Sequence, residues 1–416
     1  MLSMSIILIV FFITLVIAIL SGLIFLIPSV PIKYIKIHLY LIVLPIIVSV
    51  IGLLNVSDRE QIGPFTMDHL AWLMGSFILI LDFIIQKFSV RYLIGDRNYR
   101  KYFPLFTLIT SFASIAWLSG DLRLMVLFWG ATLLSLTLLI RVNRSWKIPY
   151  EAAKVSGKSF ALGWLSLLVA VILLYVATGN WHINVTLAND DVITSGMRFI
   201  IDMLIVLAVV VPAAQFPFQS WLIESVAAPT PVSAIMHAGI VNAGGIILTR
   251  FSPVFNDPLA ITILLIIASI SVLLGSGISL VHVDYKRQLV GSTMSQMGFM
   301  LVQCALGVYS AAIIHLILHG VFKATLFLQS GSVVKRFNIP TPPSAKRSYS
   351  WVVLGRCLAI IIAILFWLGS DRSAYEILSA LILAWSLMVS WNQMVAFSRG
   401  LIGRVIGIIM IVIVAL

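Results

Sequence analysis

Long apolar runs, separated by short polar and mostly basic turns, dominate this chain from end to end. A run of about twenty apolar residues crosses a hydrocarbon core of roughly 30 Å as a helix. The pattern predicts about fourteen such spans, near 4–27, 38–56, 66–88, 103–120, 122–140, 159–178, 197–214, 230–251, 258–281, 289–307, 309–334, 351–369, 373–396 and 399–416. The fold class is therefore an all-α polytopic membrane protein. The opening run lacks a basic n-region and a small-residue cleavage site, and it is too long for a signal-peptide core, so it reads as a retained first span. Asn338 to Tyr349, between spans eleven and twelve, reads as a loop.

One pair of spans departs from the pattern. Pro212, Pro217, Pro229 and Pro231 interrupt VVPAAQFPFQSWLIESVAAPTPVSAIMHAG, and each removes a backbone donor and disfavours helix at the preceding residue. A broken helix at membrane depth survives where protein or a water-filled cavity satisfies its freed backbone groups. Such breaks line ion and substrate sites in transporters. Gly369, Ser370, Asp371 and Arg372 form a weaker candidate for a second break.

Composition and charge sharpen this picture. Of 416 residues, 61% are hydrophobic and 10% charged, too little charge for the surface of a soluble globule. The formal net charge of +12 is explained by loop orientation rather than by nucleic-acid binding. Loops after odd-numbered spans hold about twenty Lys and Arg and loops after even-numbered spans hold five. The positive-inside rule then makes the odd loops cytoplasmic and puts both termini outside, in the cell membrane. Cys304 and Cys357 sit in apolar surroundings without metal-ligand spacing, so neither a disulfide, a metal site nor a cofactor is expected in this chain.

The candidate chemistry lies within the spans. His315, His319 and Lys323 are four residues apart in SAAIIHLILHGVFKATLFLQSGSVV, and each such step turns an α-helix by about 400°, so the three share a face. Ionisable groups inside a membrane are costly and mark ion paths or proton relays; the competing explanation is polar glue between helices. His237, just beyond the proline-rich break, is a fourth candidate, because a histidine exchanges protons at physiological pH. Asp82, Asp202 and Glu224 are the acids that could pair with these groups. Their structural alternatives are an inward ion pair, an interfacial residue and a solvated loop carboxylate. Lys286, in VHVDYKRQL, falls at the end of a span where a solvated turn is the first explanation. No HExxH, CxxC or nucleophile elbow is present, and the glycine-rich GSGIS and GSTMSQMG lack a phosphate-binding context. A self-contained enzyme is not expected.

FPFQSWLIESVAAPTPVSAIMHAGIVNAGG, HVDYKRQLVGSTMSQMGFM and HLILHGVFKATLFLQSGSVV, in this order, resemble the antiporter-like membrane subunits of respiratory complex I and multisubunit cation/proton antiporters. The similarity runs over roughly residues 60 to 335. It implies fourteen helices with two inverted five-helix repeats and breaks in helices seven and twelve. That division would be 1–102 for helices one to three, 103–251 and 258–396 for the repeats, and 399–416 for the last helix. The resemblance implies relay roles for His237, His315, His319 and Lys323, and raises Lys286 to a basic relay position. Two family residues are missing. Gly130 follows Trp129 where the family has a glutamate, and Pro212 stands where it has a lysine, so the acid/lysine pair that drives pumping in complex I is absent. No long lateral helix follows the last expected span. Together with the wording MLVQCALGVYSAAIIHLILHGVFKATLFLQSGS, this is most similar to the membrane subunit of two-component, DAB-type inorganic carbon accumulation systems. That resemblance implies a large cytoplasmic partner similar to β-carbonic anhydrase, which carries the zinc and hydrates CO2. Membrane lipid is the other expected contact of the basic loops, and nucleic acid is not. A subunit of a cation/proton antiporter or NADH:quinone oxidoreductase is the alternative, and a membrane anchor that only recruits its partner is a third.

Overall fold

The computed structural model describes residues 3–57, 59–143, 147–188, 192–332, 349–369 and 374–394. The expected last span at 399–416 and most of the loop after span eleven lie outside these residues, as do Ser370, Asp371 and Arg372 of the second expected break. The chain divides into two compact units, Met1–Val334 and Lys335–Leu416.

The first unit is built from α1 (Met4–Leu23), α2 (Ile35–Asn55), a small hairpin, α3 (His69–Tyr92), α4 (Tyr99–Leu118), α5 (Leu122–Ile140), α6 (Lys147–Thr178), a short α7 (Ile183–Ala188) and α8 (Ser195–Val210). After the interruption come α9 (Ser220–Glu224), α10 (Thr230–Ile235), α11 (Ala243–Phe251), α12 (Pro258–Val281), α13 (Tyr285–Ala305) and α14 (Tyr309–Leu328). The second unit contributes α15 (Tyr349–Gly369), packed on α16 (Ala374–Met394). Among the described residues, nine helical segments are long and apolar enough to cross a membrane. Neither α8 nor α13 is one of the nine. The proline turn cuts α8 short, and α13 carries Gly, Ser, Thr and Gln because it packs inside the protein. Outward-facing apolar side chains such as Ile9, Leu134 and Leu273 are more than half exposed, as lipid-facing positions are.

Small residues set the closest helix contacts. A Cβ on Gly275 of α12 would meet Gly291 O of α13 at 2.7 Å, and Ser276 Oγ lies 2.9 Å from Ser295 Oγ. Close backbone approach with a hydroxyl bond replaces the hydrophobic drive that lipid does not supply. The hairpin, β1 (Glu60–Ile62) against β2 (Phe65–Met67) with Glu60 opposite Met67, was not anticipated; it turns at Gly63, whose φ of 57° is easy only for glycine. Asp68 follows it, caps α3 through Ala71 N–H, and pairs with buried Arg250, whose guanidinium also donates to Trp117 O. One end of the bundle is thereby pinned.

The interruption begins where Val211-Pro212 ends α8. The chain turns through Ala214, which has φ 54°, and a cis Phe216–Pro217 bond before α9 forms. Ser271 Oγ accepts from Phe216 N, and Trp221 Nε1 donates to Val211 O at 3.0 Å. Side chains thus satisfy backbone groups that a continuous helix would have paired itself.

Candidate functional site

Between α10 and α11 the chain makes one π-turn, Met236–Ile240, with Val241 N reaching back to Met236 O. The wider turn frees Ala238 O, which accepts from Asn242 Nδ2 at 2.7 Å. Turns of this kind inside helices recur at functional positions, and His237 sits in this one. Its ring is fully buried and stacks on Phe327 of α14, with centroids 4.4 Å apart and planes at 16°.

Along α14 the four-residue spacing produces the predicted face. His319 and Lys323 are buried and His315 is half-buried. The rings of His315 and His319 are 6.1 Å apart, edge to face. His315 Nδ1 lies 3.1 Å from Gln303 Oε1 of α13, and Lys323 Nζ donates to Leu289 O at 3.1 Å. Gly320, between the histidine and the lysine, lets α14 come close: a Cβ there would meet Phe77 Cζ at 2.5 Å and Ala238 O at 2.6 Å. Lys286, at the start of α13, donates to Ala228 O at 3.0 Å, a carbonyl left free where the interrupted segment rejoins α10. The structure therefore gathers His237, His315, His319 and Lys323 where the π-turn packs on α14, with Lys286 beside the start of α10. Among the described residues, neither ring nitrogen of His237 or His319 has a hydrogen-bond partner.

The three acids are placed elsewhere. Asp202 is buried, and its Oδ2 accepts from Asn256 N at 3.1 Å and Asp257 N at 2.9 Å, which holds the turn before α12. Glu224 is exposed at the end of α9. Asp82 is buried in α3 and accepts from Gln86 Nε2 at 2.9 Å. Among the described residues, the salt bridges pair no carboxylate with Lys323 or Lys286. No three His, Cys, Asp or Glu side chains there converge to hold a metal. His38, buried in the first turn of α2, was not among the predicted groups, although an ionisable residue in an apolar run is itself the signal.

The two positions where the resemblance implies a lost glutamate and lysine, Gly130 and Pro212, are both closely packed. A Cβ on Gly130 would lie 2.4 Å from Nε1 of Trp164, whose indole donates to Val126 O at 2.9 Å. A Cβ on Gly163 would lie 2.9 Å from the Pro212 ring. Neighbouring residues on α6 have thus closed over both places.

A family profile described as NADH:quinone oxidoreductase/Mrp antiporter, transmembrane region, matches residues 119–407. The chain belongs to this family of membrane subunits. Within it, the chain is 59% identical over 409 residues to the probable inorganic carbon transporter subunit DabB of Bacillus subtilis (strain 168), covering 98% of this chain and 81% of that protein. It is 55% identical over 413 residues to the protein of the same name in Bacillus anthracis, covering 99% and 81%. Among solved structures, the Mrp complex from Dietzia sp. DQ12-45-1b superposes with a TM-score of 0.71 at 23% identity, covering 97% of this chain and 45% of that chain. The last likeness establishes the fold.

Proposed function

We propose that this chain is the membrane subunit of an inorganic carbon accumulation system, in which cation flow, most simply of protons, drives a cytoplasmic partner. Its likeness to the DabB proteins supports the carbon substrate, and one observation carries the ion path. His237 and His319 are buried, and among the described residues all four of their ring nitrogens lack a hydrogen-bond partner. Such nitrogens are costly unless something that hydrogen-bonds reaches them, and a hydrated proton path does so. His315 continues the path along α14, while Lys323 and Lys286 set the local charge and supply exchangeable protons beside the interrupted segment.

In this reading the chain carries no reaction chemistry itself and needs no cofactor. The partner is a large zinc protein of the carbonic-anhydrase kind, docked on the basic loops that face the cytoplasm, and both termini of a fourteen-helix chain lie outside. The helices form two inverted five-helix repeats with helix seven broken at Val210–Ser220. Uncoupled CO2 hydration is reversible, so accumulation needs an energy source. One charge crossing 100 mV supplies about 2.3 kcal/mol, a concentration ratio of roughly fifty. A relay conducting into the partner would suffice without the acid/lysine pair of a pump.

The test is co-expression with the neighbouring candidate partner in a host that lacks carbonic anhydrase. Growth in air, together with a co-purifying zinc protein, is the expected result. Co-purification with many small membrane subunits or iron–sulfur proteins instead would place the chain in an antiporter or quinone oxidoreductase.

A further inference from the structure

A second buried polar cluster lies away from the ladder, where α1, α2, α3 and α4 meet. His38 is 1% exposed. Its Nδ1 is 2.7 Å from Ser21 Oγ, and its Nε2 is 3.1 Å from Gln86 Oε1 and 3.3 Å from Thr107 Oγ1. Gln86 Nε2 donates to Asp82 Oδ2 and to Thr107 Oγ1, both at 2.9 Å. Asp82 is also 1% exposed, and its Oδ1 has no hydrogen-bond partner among the described residues. The other groups facing these two are Phe25, edge-on to the imidazole, and Thr110 beside the carboxyl, neither of which titrates.

Counting hydrogens shows what the cluster can hold. A hydroxyl has one proton. In one arrangement that of Ser21 is given to Ala18 O at 2.7 Å and that of Thr107 to Phe103 O at 3.1 Å. Both oxygens therefore offer lone pairs to the ring. Gln86 turns its NH2 to the carboxylate, so its Oε1 faces Nε2. Both ring nitrogens of His38 then meet acceptors, which is the pattern of an imidazolium opposite an ionised carboxylate. A half-turn of the Gln86 amide gives a second arrangement. Oε1 then accepts from a protonated Asp82 and from Thr107, whose hydroxyl turns away from Phe103 O, and Nε2 donates to a neutral His38 that keeps its proton on Nδ1. Between the two arrangements one N–H at Nε2 breaks and one O–H at Oδ2 forms, with no electron transferred.

From these contacts we infer that His38 and Asp82, bridged by Gln86, form a proton-exchanging pair that feeds the interior of the bundle from the end bearing Lys33 and Lys36. His38 is three residues into α2, while Asp82 lies one helical turn, about 6 Å, deeper than Gln86 along α3. Leu81, next to Asp82, packs with Ala238 and Ala324, the neighbours of His237 and Lys323. The feed to the ladder rests on the proposed ion path; the pair itself does not.

Infrared difference spectroscopy across a pH titration of the full chain in lipid vesicles tests the pair without transport. A protonated-carboxyl C=O band that disappears in Asp82→Asn is expected. Its midpoint should move by about one pH unit or more, tenfold in proton affinity, in His38→Gln. The same is expected in Gln86→Met, which keeps the length of the side chain and removes the amide. A midpoint identical in all three proteins, or the absence of an Asp82-dependent band, overturns the pair. Asp82→Asn should also lower carbon uptake about tenfold, and full uptake overturns the feed. Failure of the ladder reading would show separately, as full uptake in Lys323→Ala with the spectroscopic coupling unchanged.

Discussion

The indole of Trp164 occupies the space that any side chain at Gly130 would need, with Nε1 2.4 Å from where a Cβ would sit. Trp164 is held there by its bond to Val126 O, so the ring cannot swing aside without losing a hydrogen bond inside the bundle. Gly130→Ala should therefore destabilise the protein by about 1–3 kcal/mol, the usual cost of overpacking. Adding Trp164→Ala should recover part of the loss. Melting temperatures of the single and double variants in detergent check both statements.

Lys323 donates to a carbonyl that Thr293 Oγ1 also serves at 2.9 Å, so its removal leaves no orphaned acceptor. Lys323→Ala should cost stability only about 1 kcal/mol and still lower carbon uptake about tenfold or more. His319→Ala should behave similarly, since its ring has no hydrogen bond to lose among the described residues. Uptake normalised to assembled complex is the measurement. Full uptake in both variants would reduce the chain to an anchor.

Asp202 and its two backbone donors predict the opposite pattern. Asp202→Ala removes the acceptor for Asn256 N and Asp257 N and should cost about 1 kcal/mol, as loss of a cap does. Uptake per assembled complex should stay at the wild-type level. A large loss of uptake with unchanged stability would return Asp202 to the ion path.

Asp121, in the turn between α4 and α5, gives a pH dependence. Burial alone would raise its carboxyl, but the side chain, backbone N–H and charge of Arg123 outweigh it and hold the group below the usual carboxylate range. A carboxyl lowered on folding stabilises above its unfolded value, near 3.9, and that contribution is lost as pH falls through and below it. Melting temperature should therefore drop more steeply between about pH 5 and 3 in the wild type than in Asp121→Asn.

Much of the architecture was legible in the chain. Apolar runs of membrane length, the prolines from Pro212 to Pro231 and the four-residue spacing of His315, His319 and Lys323 are local patterns, and local geometry reads them directly. The resemblance brought in Lys286, which spacing alone assigned to a solvated turn. The acids were not legible, because whether a buried carboxylate caps a helix, bonds an amide or faces a lysine depends on which elements pack beside it. Asp202 meets backbone N–H groups near α12, and Asp82 meets Gln86 on its own helix.

The sequence by itself therefore determined a helical membrane protein with a titratable face on α14 and an interruption before His237, since periodicity, span length and proline act within one segment. Only the tertiary structure decided what meets that face: Phe327 on His237, Leu289 O on Lys323 and Ala228 O on Lys286. It also decided that Trp164 packs over Gly130 and that His38 reaches Asp82 through Gln86. These are contacts between residues tens to hundreds of positions apart. They depend on how closely small residues such as Gly320 let the helices approach, a property of pairs of helices that no single segment records.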